Sequence, residues 1–176
     1  MSLNFDHLLT NCVDGIFLID WVNLGEVIVD NCILKNNTTI AATSGGGAIG
    51  GPLWNSVNAG NRFNITNSQF IGNITTSSNG GTGMYIDAQG YPISISGCIF
   101  TGNVSNSEGG AVYLQNGNVT AATPATITNC VFAGNKLTTT NSSATGAAIL
   151  KKTIKMVDCI VANNTCQTTN HSIIQL

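Results

Sequence analysis

Residues 126–135 read TITNCVFAGN. An alternating run leads to Asn-Cys, and a Phe follows with Asn three residues later. The same phrase recurs along the chain, so it is aligned on the residue before the Cys. The copies are LLTNCVDG (8–15), VIVDNCILKNN (27–37), FNITNSQFIGN (63–73), ISISGCIFTGN (93–103), ATITNCVFAGN (125–135) and IKMVDCIVANN (154–164). The aligned column is Asn11, Asn31, Asn67, Gly97, Asn129 and Asp158. Only residues that tolerate the left-handed backbone region occur there, so a tight bend at positive φ is expected in each copy. The next column is Cys12, Cys32, Ser68, Cys98, Cys130 and Cys159 and is read as a core column. Apolar residues recur two and four places before the bend and two places after the Cys position. Alternation on both sides implies short strands with one buried face.

A second repeat fills the gaps: SGGGAIG (44–50), GTGMYID (81–87), EGGAVYL (108–114) and TGAAILK (145–151). It reads as a glycine pair entering a third strand. Pro92 and Pro124 fall just ahead of a strand, where proline is tolerated. The expectation is an all-β, right-handed, single-stranded parallel β-helix of about five to six coils with three short strands each. Coils would stack at about 4.8 Å. Asparagines buried in one column could form an amide ladder up the stack.

Composition agrees. Charged residues are 8 % of the chain, against roughly 25 % in ordinary globular domains, and their place is taken by Asn, Thr, Ser and Gly. Hydrophobic residues reach 43 %, which argues against disorder. A net charge of -2 leaves no basic stripe for nucleic acid and no polybasic tail for a membrane surface. No apolar run reaches the ~18 residues of a membrane span. The opening MSLNFDHLLTNC has no positive n-region or long apolar h-region, so the protein is not secreted or the chain is a mature piece.

The pairing of GGA plus an aliphatic residue with Phe-x-x-Asn resembles the repeats of chlamydial polymorphic outer-membrane proteins. The matching residues are GGAI (46–49), GGAV (109–112), FIGN (70–73), FTGN (100–103) and FAGN (132–135), with weaker copies GTGM, GAAI, LKNN and VANN. The resemblance implies a surface-exposed right-handed β-helix of the pectate-lyase-like superfamily, with an adhesive or structural role. The sequence departs from the chlamydial pattern in its sequon density, and no autotransporter barrel is expected within these 176 residues.

Nine Asn-x-Ser/Thr sequons occur, at Asn36, Asn37, Asn64, Asn73, Asn103, Asn118, Asn141, Asn163 and Asn170. That is roughly double the number random placement of 23 Asn and 34 Ser or Thr would give. One reading is a cell-surface or secreted glycoprotein, with Asn141, Asn163, Asn170, Asn64 and Asn118 as glycan candidates. The other is that the repeat generates sequons for structural reasons. Asn37, Asn73 and Asn103 lie in the Phe-x-x-Asn column, where a buried ladder role competes with glycosylation.

No catalytic set, metal site or cofactor is expected. Only eight acids are present, and neither paired carboxylates nor a Ser/His/Asp nucleophile motif is recognisable. Asp30 and Asp158 are read as turn residues, and His7 and His171 lie near opposite ends. The cysteine column is read as buried thiols, with pairing of Cys12 to Cys32 or Cys130 to Cys159 as the alternative. Cys166 is placed in a loop. NHSIIQL (170–176) is aligned with GGAVYLQ (109–115), which ends the chain inside a strand. Residues 1–176 are therefore read as one β-helix domain, a fragment or module of a longer repeat protein. The functional expectation is a non-enzymatic extracellular structural or adhesive module at the cell surface. Its partners would be adjoining coils, other copies, glycans or host and cell-surface proteins. The alternative is a β-helix that binds or cleaves carbohydrate, for which Trp21, Trp54, Tyr85, Tyr91 and Tyr113 are the aromatics to place.

Overall fold

A computed structural model describes residues 2–4, 17–18, 26–40, 46–52, 62–76, 81–87, 92–115, 125–139, 146–150, 154–167 and 173–175. These residues are all-β, and every strand pairing is parallel. Four sheets form. The first joins Ser2–Asn4, Glu26–Asp30, Arg62–Thr66, Ile93–Ser96, Ala125–Thr128 and Ile154–Val157. The second joins Ile33–Lys35, Gln69–Ile71, Ile99–Thr101, Val131–Ala133 and Ile160–Ala162. The third joins Thr38–Thr39, Ile74–Thr75, Val104–Ser105, Lys136–Leu137 and Thr165–Cys166. The fourth joins Phe17–Leu18, Ile49–Pro52, Met84–Asp87, Val112–Gln115, Ile149–Leu150 and Ile174–Gln175. The chain visits the sheets in that order and then returns one strand further along each. This returning pattern is consistent with a parallel β-helix.

A coil thus carries four strands, where the sequence suggests three. The additional break lies inside the phrase read as one strand after the Cys. Asn31, Asn67, Asn129 and Asp158 sit at φ 51 to 53° and Gly97 at 64°, which turns the chain from the first sheet to the second. Five residues on, Asn36 (57°), Gly72 (60°), Gly102 (64°), Gly134 (64°) and Asn163 (55°) make a second left-handed corner. That corner splits Phe-x-x-Asn between two sheets. A third corner, at Gly46, Gly81, Gly109 and Gly146, opens the fourth strand.

Register explains the core. In the first sheet Val29, Ile65, Ile95, Ile127 and Met156 stack inward. In the second, Leu34, Phe70, Phe100, Phe132 and Val161 do so. The three Phe rings lie face on face, with centroids 4.6 and 4.9 Å apart and planes within 5° and 2° of parallel. Those separations are close to the spacing of adjacent strands, so one repeated residue fills each coil without a gap. Ile49, Met84, Val112, Ile149 and Ile174 line the fourth sheet.

Both ends depart from the sequence alignment. Ser2–Asn4 pairs with the first sheet so that Leu3 faces Val27. Aligning Asn11 with Asn31 would instead have set His7 there; Asn11 and Cys12 lie outside the described residues. At the other end Ile174, not Ile173, is opposite Ile149. The alignment with GGAVYLQ is therefore displaced by one residue, because no glycine pair marks that corner.

Candidate functional site

The most developed polar constellation is internal. Asn37, Asn73, Asn103, Asn135 and Asn164 occupy the residue after the second corner in consecutive coils, and all are buried. The Asn73 backbone N–H and Nδ2 both donate to Asn103 Oδ1 at 3.0 Å, while Nδ2 also donates to the Leu34 carbonyl at 3.1 Å. Asn103 repeats this toward Asn135 (3.1 and 2.9 Å) and Phe70, and Asn135 toward Asn164 (3.0 and 2.8 Å) and Phe100. Asn37 donates to Asn73 in the same way, but its own Oδ1 is buried with no partner among the described residues. Each interior carboxamide therefore satisfies groups on two neighbouring coils. An apolar replacement would strand the backbone N–H that its Oδ1 accepts and weaken the hydrogen bonding of both neighbouring asparagines.

This ladder settles where the described sequon residues sit. Asn37, Asn73 and Asn103 are 2, 0 and 0 % exposed. Their sequon hydroxyls, Thr39, Thr75 and Ser105, occupy one inward register of the third sheet. Asn36 and Asn163 are exposed on the second corner, with Thr38 and Thr165 two residues on, facing outward. Asn64 and Thr66 are half-buried on the outer face of the first sheet. All six fall on repeating positions, so the coil itself produces them. The glycan candidates Asn118, Asn141 and Asn170 lie outside the described residues.

The Cys column packs inward beside Ser68. The Ser68 hydroxyl accepts the Cys32 N–H at 3.0 Å, and the Cys130 sulfur accepts the Cys98 N–H at 3.4 Å. Cys98, Cys130 and Cys159 carry free thiols, so Cys130 and Cys159 are not bridged. The contact with Cys130, and then burial, push the Cys98 thiol well up. Held neutral, that thiol packs as a small apolar side chain. Cys166, placed in a loop from the sequence, is the last residue of a third-sheet strand opposite Leu137 and packs against the buried pair Leu137 and Ala147.

Asp158 is at the first corner, but Asp30 is not a turn residue. It ends a first-sheet strand and accepts hydrogen bonds from the Thr66 hydroxyl and, at 3.0 Å, from Asn67 Nδ2. These bonds hold its carboxyl below the ordinary range. Register also brings Glu26 opposite Arg62, a neighbour invisible in the linear sequence. Tyr85 and Tyr113 meet edge to face on the outer side of the fourth sheet, with centroids 5.2 Å apart. Tyr85 is buried, so the pair is not an open stacking platform. Trp21, Trp54, Tyr91, His7 and His171 lie outside the described residues.

The outer face of the second sheet carries Ile33, Gln69, Ile99, Val131 and Ile160 in one file, with Ile160 60 % exposed. Among the described residues no cluster of three or more His, Cys, Asp or Glu is placed to hold a metal ion. No helix there is long and apolar enough to cross a membrane. No family model, no curated protein and no solved structure matches the chain. The likeness to chlamydial surface repeats therefore rests on the tetrapeptides themselves.

Proposed function

We propose that the chain is a non-enzymatic structural and adhesive module: a right-handed β-helical scaffold that displays variable loops at a cell surface. One observation carries the reading. The two bends of each coil keep a fixed separation, while the stretches flanking the fourth-sheet strand change length from coil to coil. A core of constant cross-section with variation confined to its connections suits display, since loops tolerate change and carry contacts. Ile99, Val131 and Ile160, consecutive on the outer face of the second sheet, offer a further contact surface. Partners would be cell-surface proteins, glycans or other coils of the same kind.

The test uses beads coated with the purified chain, presented to intact cells and to a polysaccharide panel. Retention that falls when residues 116–124 or 140–145 are replaced by Gly-Ser, with the melting temperature unchanged, is the expected result. Release of reducing or unsaturated sugar ends from any polysaccharide would overturn the non-enzymatic reading in favour of a carbohydrate-cleaving β-helix.

A further inference from the structure

The sequons at Asn37, Asn73 and Asn103 join two structural columns, an amide ladder and an inward hydroxyl position. Sequon recognition ignores that origin. It requires only Asn-x-Ser/Thr in an accessible, extended segment, and the attached glycan must then remain in water. In the fold neither condition holds. Both Nδ2 hydrogens of Asn73 and of Asn103 are committed, one to a carbonyl of the preceding coil and one to the next Asn. A glycosyl bond replaces one of those hydrogens and adds a bulky polar group where no solvent reaches. Modification and ladder are mutually exclusive at these positions.

Timing decides which wins. Every pairing in the structure is parallel and joins successive coils, with ladder partners 29 to 36 residues apart in sequence. Long-range parallel pairing forms slowly, so the sequons stay accessible before burial. We infer that Asn37, Asn73 and Asn103 are sites at which N-glycosylation blocks folding, and that the chain reaches its native state by a route without N-glycosylation. This rests on the ladder alone and is independent of the display function. It also refines the composition signal: the six described sequons fall on repeated columns of the coil.

The experiment makes the full chain by two routes, bacterial cytoplasm and a eukaryotic secretory pathway. Site occupancy is read by peptide mass spectrometry and folding by circular dichroism on heating. The bacterial product should unfold cooperatively. The secretory product should carry glycan at Asn37, Asn73 or Asn103 in the fraction that has lost the cooperative transition. A Thr39→Val, Thr75→Val, Ser105→Ala variant removes the three sequons and keeps every ladder amide. From the secretory route it should regain the transition shown by the same variant from bacteria. Should that variant not fold in bacteria, wild type made in secretory cells with oligosaccharide transfer inhibited replaces it, and must fold. Cooperative secretory wild-type protein, with these three sites either occupied or empty, would overturn the inference.

Discussion

Each coil has two unlike halves. From the first sheet to the third, the corners fall at 31 and 36, 67 and 72, 97 and 102, 129 and 134, and 158 and 163, without a single insertion. From the second corner to the glycine that opens the fourth sheet, the chain runs 36 to 46, 72 to 81, 102 to 109 and 134 to 146. The first half is held to constant length because the ladder, the Phe stack and the thiol column all lie on it. A one-residue slip there would turn every inward side chain outward. On the return, the coils share the entry glycines and the short inward columns of the fourth strand, and the connections on either side are under no such constraint.

That contrast is sharpest for insertions. One Gly inserted after Ile99 should abolish cooperative unfolding. The same Gly after Asn118 should leave the melting temperature within about 2 °C, since lengthening a loop costs only about 0.6 kcal/mol per doubling. Equal damage at both places would erase the distinction between the halves.

Within the constant half, Asn103→Leu ranks next. It leaves the Asn73 N–H without its acceptor, takes the Asn103 donor from the Phe70 carbonyl, and removes one of the two hydrogen bonds made by Asn73 Nδ2 and by Asn135 Oδ1. At about 1–3 kcal/mol for each buried group stranded, the loss should be about 5 kcal/mol by urea unfolding. That is comparable with the whole stability of many domains. A loss under about 1 kcal/mol would mean the ladder is ornamental.

Glycines separate the halves by cause. At the second corner, Gly134 has φ +64°, and a Cβ added there would meet no atom within 4 Å. Gly134→Ala therefore meets only backbone strain, about 1 kcal/mol. At the fourth-strand entry, a Cβ on Gly110 would run into the Ala147 carbonyl of the next coil. Gly110→Ala should cost about 3 kcal/mol through overpacking, measured in the same unfolding assay. The reverse order would show that corner geometry, not close backbone approach, selects these glycines.

The smallest effect is that of Asp30. Its carboxyl is held below the ordinary value by Thr66 and Asn67, so the folded state favours the charged form. The resulting stability is present above the unfolded carboxyl pKa and is lost as pH falls through the lower folded value. Wild type should therefore lose a small increment relative to Asp30→Ala between about pH 4 and pH 2, seen as converging melting temperatures. Curves that stay parallel would remove Asp30 from the account.

The legibility of the fold in the sequence follows the same division. The first corner is readable because its column holds only Asn, Gly and Asp and stands beside a recurrent Cys. The second corner is equally encoded, as the Asn or Gly before each ladder residue in LKNN, FIGN, FTGN, FAGN and VANN. It escapes sequence reading because two-residue strands are too short to show alternation, so three strands are inferred where four exist. A corner glycine, Gly46, Gly81, Gly109 or Gly146, marks the fourth strand in four coils; in the last, where the sequence has His171 and Ser172, the register slips by one. Cys166 resembles a loop residue for the same reason as the missing corner. Pairings across coils, such as Glu26 with Arg62, have no local signal at all.

The buried ladder is tested most directly by hydrogen exchange of the asparagine side-chain amides, followed by nuclear magnetic resonance. The Nδ2 hydrogens of Asn73, Asn103 and Asn135 should exchange as slowly as the backbone amides of the core strands, while those of exposed Asn36 and Asn163 exchange fast. Fast exchange at all five would contradict the buried ladder, and with it the four-stranded coil built around it.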